Sequence, residues 1–157
     1  MNDKLHTATF AAGCFWGIQD SFDQLDGVVE TTVGYTGGKT EDPNYEQVCS
    51  DTTGHAEAVQ VKFDPEVISY EELLNNFWKM HNPTQMHRQG SDVGSQYRST
   101  IFYHDDTQKD KAEKSKQDHQ SEFDNNIVTE ITKATKFYPA EEYHQKYFKK
   151  TGKKVCH

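Results

Sequence analysis

Apolar and polar residues alternate through Leu5-His6-Thr7-Ala8-Thr9-Phe10-Ala11, which predicts a short strand over residues 5–11. The period then changes. Phe15, Ile18, Phe22 and Leu25 recur at helical spacing, with Gly27 as the stop signal. Residues 28–33 predict a second strand, and residues 34–43, rich in glycine and polar side chains, a loop. In a third strand, residues 57–63, Glu57, Val59, Val61 and Phe63 share one face and Ala58, Gln60 and Lys62 the other. Asp64-Pro65 ends it. Ser69 and Glu72 have capping-box spacing and open a helix that carries Leu73, Leu74, Phe77 and Trp78. A polar segment spans 82–96. Residues 98–103 predict a strand, 105–123 an exposed helix charged nearly all round, and 126–133 a further strand. Residues 139–150 predict a helix, with Pro139 near its start and Gly152 just past its end. Strands and helices mix without strict alternation, so the expected class is α+β. No repeat or linker divides the chain, which predicts one domain over residues 1–157 with a mobile tail from about residue 150.

Composition narrows the function. The 157 residues suffice for one well-packed domain, and nine Phe, eight Tyr and two Trp supply a core despite a modest apolar fraction. The net charge of −8 opposes a nucleic-acid or anionic-membrane surface, both of which need a basic patch. No apolar run is long enough to span a bilayer, and Met1-Asn2-Asp3-Lys4-Leu5 has no apolar h-region. Cys14, Cys49 and Cys156 are odd in number, widely spaced and without C-x-x-C, a set of cytoplasmic thiols rather than a disulfide scaffold.

The run Gly13-Cys14-Phe15-Trp16-Gly17 carries the chemistry. Flanking glycines allow a sharp turn and close approach of a ligand, and the aromatic pair can wall an apolar pocket beside the sulfur. The strand-to-helix junction places Cys14 near a helix N-terminus, which favours a thiolate. An isolated cysteine would read as a small buried hydrophobe; this context reads as a reactive thiol. Glu57 admits two readings. On the apolar face of its strand it would be desolvated, with a raised pKa, and could act as a general acid. At the strand end it would be solvated. Tyr45 and Tyr97, in polar contexts, could donate to a ligand oxygen or simply pack. Asp92 precedes Gly94 and could be a turn residue.

Two alternatives fail. Gly34-Tyr35-Thr36-Gly37-Gly38-Lys39-Thr40 looks like a phosphate loop, but Gly34 leaves three residues before Gly38-Lys39-Thr40 where four are needed. The eight histidines and three cysteines show no H-E-x-x-H or paired C-x-x-C spacing, so no metal is expected. His55, near Glu57, could be a ligand but reads first as a structural group or one that supports the site from behind.

Four motifs together resemble the peptide methionine sulfoxide reductase A family. They are Gly13-Cys14-Phe15-Trp16-Gly17, Pro43-Asn44-Tyr45-Glu46-Gln47-Val48-Cys49, Thr53-Gly54-His55-Ala56-Glu57-Ala58-Val59 and Asp92-Val93-Gly94-Ser95-Gln96-Tyr97-Arg98-Ser99. The resemblance implies a two-layer α/β sandwich around a mixed, mainly antiparallel sheet with a ferredoxin-like core. It implies reduction of the S epimer of methionine sulfoxide, free or in proteins, with no cofactor beyond thioredoxin as external reductant. Carried over by position, Cys14 attacks the sulfoxide sulfur, Phe15 and Trp16 hold the substrate methyl group, and Glu57 protonates the oxygen. Tyr45 and Tyr97 hydrogen-bond that oxygen, and Asp92 shapes the pocket. Many family members carry two C-terminal cysteines; this chain has Cys156 alone there, so the expected disulfide is Cys14–Cys156. Cys49 is expected to pack. The rival readings are a thiol peroxidase, which leaves the aromatic pair and the acid unexplained, and a non-catalytic sulfoxide-binding module, which leaves the thiols unexplained.

Overall fold

The computed structural model describes residues 5–50, 53–89 and 92–146, the side chain of Asp92 excepted. Cys156, the predicted tail and the end of the predicted last helix lie outside those residues. In chain order the elements are β1 (His6–Ala12), α1 (Phe15–Asp23), β2 (Val28–Thr36), α2 (Tyr45–Cys49), β3 (Ala56–Phe63), α3 (Tyr70–Lys79), β4 (Arg88–Gln89) and β5 (Asp92–Val93). Then follow β6 (Ser99–Tyr103), α4 (Asp106–His119), β7 (Glu130–Lys133) and β8 (Tyr138–Pro139).

Six strands form one sheet in the order β7-β6-β1-β3-β2-β8, and β4 and β5 form a separate ribbon. Only β6 and β7 pair parallel; the other neighbours in the large sheet are antiparallel. The chain order β1-α1-β2-β3-α3-β6, laid out as β6-β1-β3-β2, is the ferredoxin-like arrangement. The class is α+β, as the pattern predicts.

Alternation along the strands decides which face the helices cover. Ala8, Phe10 and Ala12 of β1 and Val59, Val61 and Phe63 of β3 join Phe15, Ile18 and Phe22 of α1 and Leu73, Leu74 and Phe77 of α3 in one core. Phe10 sits at its centre, with ring centroids 5.2 Å from both Phe22 and Phe77. Ala11, Ala56, Ala58 and Phe102 point to the opposite face, where Ala134 and Phe137 cover them. The capping box at Ser69 forms as its spacing predicts, Ser69 accepting from the Glu72 N–H. Helix α4 buries only Gln108 and Ala112, in keeping with its charged sequence.

Two local expectations need correction. Strand β2 runs on through Gly34, Tyr35 and Thr36, which the glycine-rich pattern assigns to a loop. Gly34 belongs in the strand because a Cβ there would collide with the Tyr138 carbonyl and the Phe137 ring. Helix α2 lies beyond the predicted loop, in residues for which the pattern predicts no element, and is opened by a reciprocal Asn44–Gln47 capping box. Residues 139–146 are not α-helical. Tyr138–Pro139 pairs with β2, Glu142–His144 is a single 3-10 turn, and Lys146 takes a left-handed φ of 58°. Long-range bonds replace the helical ladder here: the Ala140 N–H donates to the Val33 carbonyl at 2.8 Å. The Gln145 amide accepts from Val33 N–H at 3.0 Å and donates to Val33 C=O at 2.9 Å.

Candidate active site

The Cys14 turn joins the last residue of β1 to the first of α1. Gly13 has φ +96°, a conformation that strains any residue with a Cβ. Cys14 is the N-cap of α1, half-buried, and its side chain does not cap the helix. Its sulfur is in a disulfide, whereas Cys49 is a free thiol and so is not its partner.

Glu57 resolves toward the core. It is 1% exposed, on β3 opposite Tyr35 of β2. Its Oε1 accepts the Phe15 N–H at 3.3 Å. That N–H is one of the donors a helix start leaves unsatisfied, so the carboxyl reaches the backbone next to Cys14 from another strand. Of the two readings that the sequence leaves open for Glu57, the structure takes the buried one.

Aromatic rings surround this junction. Phe15 is buried, its ring centroid 6.4 Å from Trp16, 6.3 Å from Tyr45 and 5.7 Å from Tyr35. Tyr45 is the first residue of α2, and Trp16 lies 6.3 Å from it. Burial pushes the Tyr45 phenol well above its ordinary pKa, and its hydrogen bond to Cys49 and the nearby Glu57 add to the shift. The phenol is therefore a neutral donor across the physiological range. Tyr97, 6% exposed, ends a 3-10 turn entered through Gly94. Arg98 fixes that turn by donating to the Ser95 and Gly54 carbonyls, each at 2.9 Å, which ties it to the segment leading into β3. Asp92 lies in β5, paired with Gln89, whose side chain packs beside Gly13.

Sequence reasoning missed several contributors. Cys49 is exposed rather than packed, and its thiol interacts with the hydroxyls of both Tyr45 and Tyr97. Partial desolvation of the sulfur and the nearby Glu57 raise the thiol pKa although the residue as a whole is exposed, and those two hydrogen bonds pull the other way. Glu141 receives the Tyr35 hydroxyl at 2.9 Å and the Tyr45 N–H at 3.1 Å. Burial pushes the Glu141 carboxyl up, but these and its own backbone hydrogen bond, with His144, hold it below its usual value. His144, 1% exposed, accepts the Trp16 indole N–H at Nδ1, 3.0 Å away. Nothing in Ala140-Glu141-Glu142-Tyr143-His144 sets it apart from a charged helix start.

His55 is structural, as expected: it accepts from the Gly38 N–H at 2.9 Å and bonds the Thr40 carbonyl at 2.6 Å, locking the glycine loop. No helix follows that loop where a phosphate loop needs one, since α2 begins only at Tyr45. Among the described residues, no group of three or more His, Cys, Asp or Glu is placed to hold a metal ion, and no helix is long and apolar enough to cross a membrane.

Comparison with known proteins adds independent findings. Residues 6–157 match the family model described as peptide methionine sulfoxide reductase. A relative from Methanosarcina acetivorans, named peptide methionine sulfoxide reductase MsrA, is 59% identical over 96% of this chain and 81% of its own length. One from Solanum lycopersicum, named peptide methionine sulfoxide reductase, is 53% identical over 97% and 78%. Among solved structures, reduced Mxr1 from Saccharomyces cerevisiae superposes with a TM-score of 0.93 at 37% identity, covering 98% of this chain and 89% of that one. The same yeast protein in complex with Trx2 gives 0.67 at 32% identity, over 92% and 85%.

Proposed function

The chain belongs to the peptide methionine sulfoxide reductase family, and we propose the following division of labour for its reduction of methionine sulfoxide. Cys14 is the nucleophile. Its place at the N-terminus of α1 favours an anion on the sulfur, and its partial exposure leaves it open to attack a substrate. The thiolate forms a bond to the sulfoxide sulfur while the sulfoxide oxygen takes a proton from Glu57. The hydroxyl then moves to the Cys14 sulfur, methionine leaves, and Cys14 remains as a sulfenic acid. The substrate sulfur gains two electrons and Cys14 loses two (~2 on each side, by the oxidation ladder of sulfur).

Glu57 suits the acid role because burial favours a neutral carboxyl, and its bond to the Phe15 N–H keeps it beside the nucleophile. Tyr45 and Tyr97 donate to the oxygen as its charge grows. Phe15 and Trp16 hold the methyl group, the arrangement that selects the S epimer, and Asp92 shapes the rim. In the second half, the Cys156 thiol attacks the sulfenic sulfur, forming a Cys14–Cys156 disulfide and releasing water. A thioredoxin dithiol then reduces that disulfide by exchange, with no further cofactor. The yeast relative's complex with Trx2 supports this reductant, and three widely spaced cysteines without C-x-x-C support a cytoplasmic setting. The protein acts as one catalytic domain.

The observation that carries the reading is the Glu57 carboxyl at the backbone of the residue after Cys14, at the head of α1. Cys156→Ser tests the cycle. It should reduce about one equivalent of sulfoxide in a single turnover and then stall with thioredoxin. Undiminished thioredoxin-driven turnover would remove Cys156 from the scheme.

A further inference from the structure

We propose that His144 is a positioning residue: its Nδ1 holds the Trp16 indole in the orientation that receives the substrate methyl group. The inference rests on the reading of Trp16 as a pocket wall.

The geometry is specific. The Trp16 Nε1–H donates to His144 Nδ1 at 3.0 Å, and the two rings stack at 28° with centroids 5.5 Å apart. The same imidazole lies 5.4 Å from Phe15 and 4.4 Å from Tyr45, so one ring touches three aromatics of the site. An Nδ1 that accepts is unprotonated, which puts the proton of the neutral ring on Nε2. That Nε2 is buried and has no hydrogen-bond partner among the described residues. For packing alone, then, a phenylalanine would serve at least as well, because it leaves no buried polar atom. What imidazole adds is the acceptor at Nδ1.

His144 is itself held from both sides in sequence. Before it, Glu141 takes the Tyr35 hydroxyl and the Tyr45 N–H. After it, Gln145 brackets Val33, and Lys146 Nζ donates to Asp23 at 2.8 Å and to the Thr31 hydroxyl at 2.7 Å. The Lys146 N–H donates to Gln19 Oε1 at 2.7 Å. The acceptor for Trp16 thus stands on a segment pinned to β2 and α1 and cannot drift with the indole. A half-buried indole at the mouth of a site needs such a fixed partner to keep one orientation.

The test is a set of variants read for KM and kcat separately, with methionine S-sulfoxide and thioredoxin. His144→Phe keeps the ring and removes the acceptor; KM should rise roughly ten-fold, with kcat nearly unchanged. His144→Asn places an amide oxygen near the lost Nδ1 and should recover most of that loss. In a Trp16→Phe background, which lacks the donor, His144→Phe should add nothing. An unchanged KM in His144→Phe, or full additivity with Trp16→Phe, would overturn the proposal. Trp16→Ala separates the two claims: if it leaves KM unchanged, the pocket reading itself is wrong. Should the variants unfold, nitrogen NMR of the imidazole in the reduced wild-type enzyme decides. A proton on Nε2 with Nδ1 bare is required, and a proton on Nδ1 rules the bond out.

Discussion

Two walls of the site are built by opposite means. One, from β1, α1 and β3, consists of regular elements: Cys14 occupies the N-cap position of a nine-residue helix, and Glu57 stands mid-sheet on the core face. The other, residues 138–146, has one short strand pairing and a single 3-10 turn. Its Glu141, His144, Gln145 and Lys146 reach back through side chains to Tyr35, Tyr45, Trp16, Val33, Asp23 and Thr31, and the Lys146 N–H reaches Gln19. Groups that must act on a substrate sit where packed backbone fixes them. Groups that brace need only good acceptors and donors at the right distance. Losses on the first wall should therefore appear in chemistry, and losses on the second in binding and stability.

The sharpest break is at the first wall. Cys14→Ser should abolish sulfoxide reduction to the background rate while folding normally, as read by thermal unfolding; residual turnover would move the nucleophile elsewhere. Glu57→Gln comes next. Loss of a general acid should slow the reductive step by roughly 10²–10⁴-fold in single-turnover kinetics, with Glu57→Asp less impaired. A Glu57→Gln enzyme as fast as wild type would remove the acid.

The second wall answers differently. Gln145→Ala removes the amide that pairs with both polar groups of Val33. It should lower stability by about 1–3 kcal/mol in denaturant unfolding and leave the reductive rate near wild type at saturating substrate. A large loss of that rate with unchanged stability would erase the distinction between the walls. Smallest of all is Cys49→Ser. The thiol is free and outside the disulfide, and serine keeps a hydroxyl for Tyr45 and Tyr97. Thioredoxin-driven turnover should change by less than about twofold, and a stalled cycle would put Cys49 in the relay.

The walls also differ in how far the sequence discloses them. Gly13 to Gly17 and the alternation around Glu57 are local signals, set by backbone geometry within a few residues, and they place the thiol and the acid on the correct elements. The helix cap at Ser69 is legible for the same reason. The run from Pro139 carries local helix signals too, yet its long-range hydrogen bonds go to residues 96 to 128 positions away, as with Tyr45, Tyr35 and Trp16. No local pattern encodes such partners. Cys49 shows the same limit: its motif predicts packing, and only the tertiary meeting of Tyr45 with Tyr97 turns its thiol toward the site. Gly34 is the converse case, a glycine that signals a loop but is needed so that β8 can approach β2.

The central claim is that Cys14, with Glu57 beside it, takes the oxygen from one epimer of methionine sulfoxide and passes the oxidation to Cys156. It is tested most directly by mixing the fully reduced protein with each separated epimer in the absence of thioredoxin, then mapping the disulfides by mass spectrometry. About one equivalent of methionine is expected from the S epimer, none from the R epimer, and a Cys14–Cys156 bond in the spent protein. Reduction of the R epimer, or a spent protein whose Cys14 is still a free thiol, would contradict it.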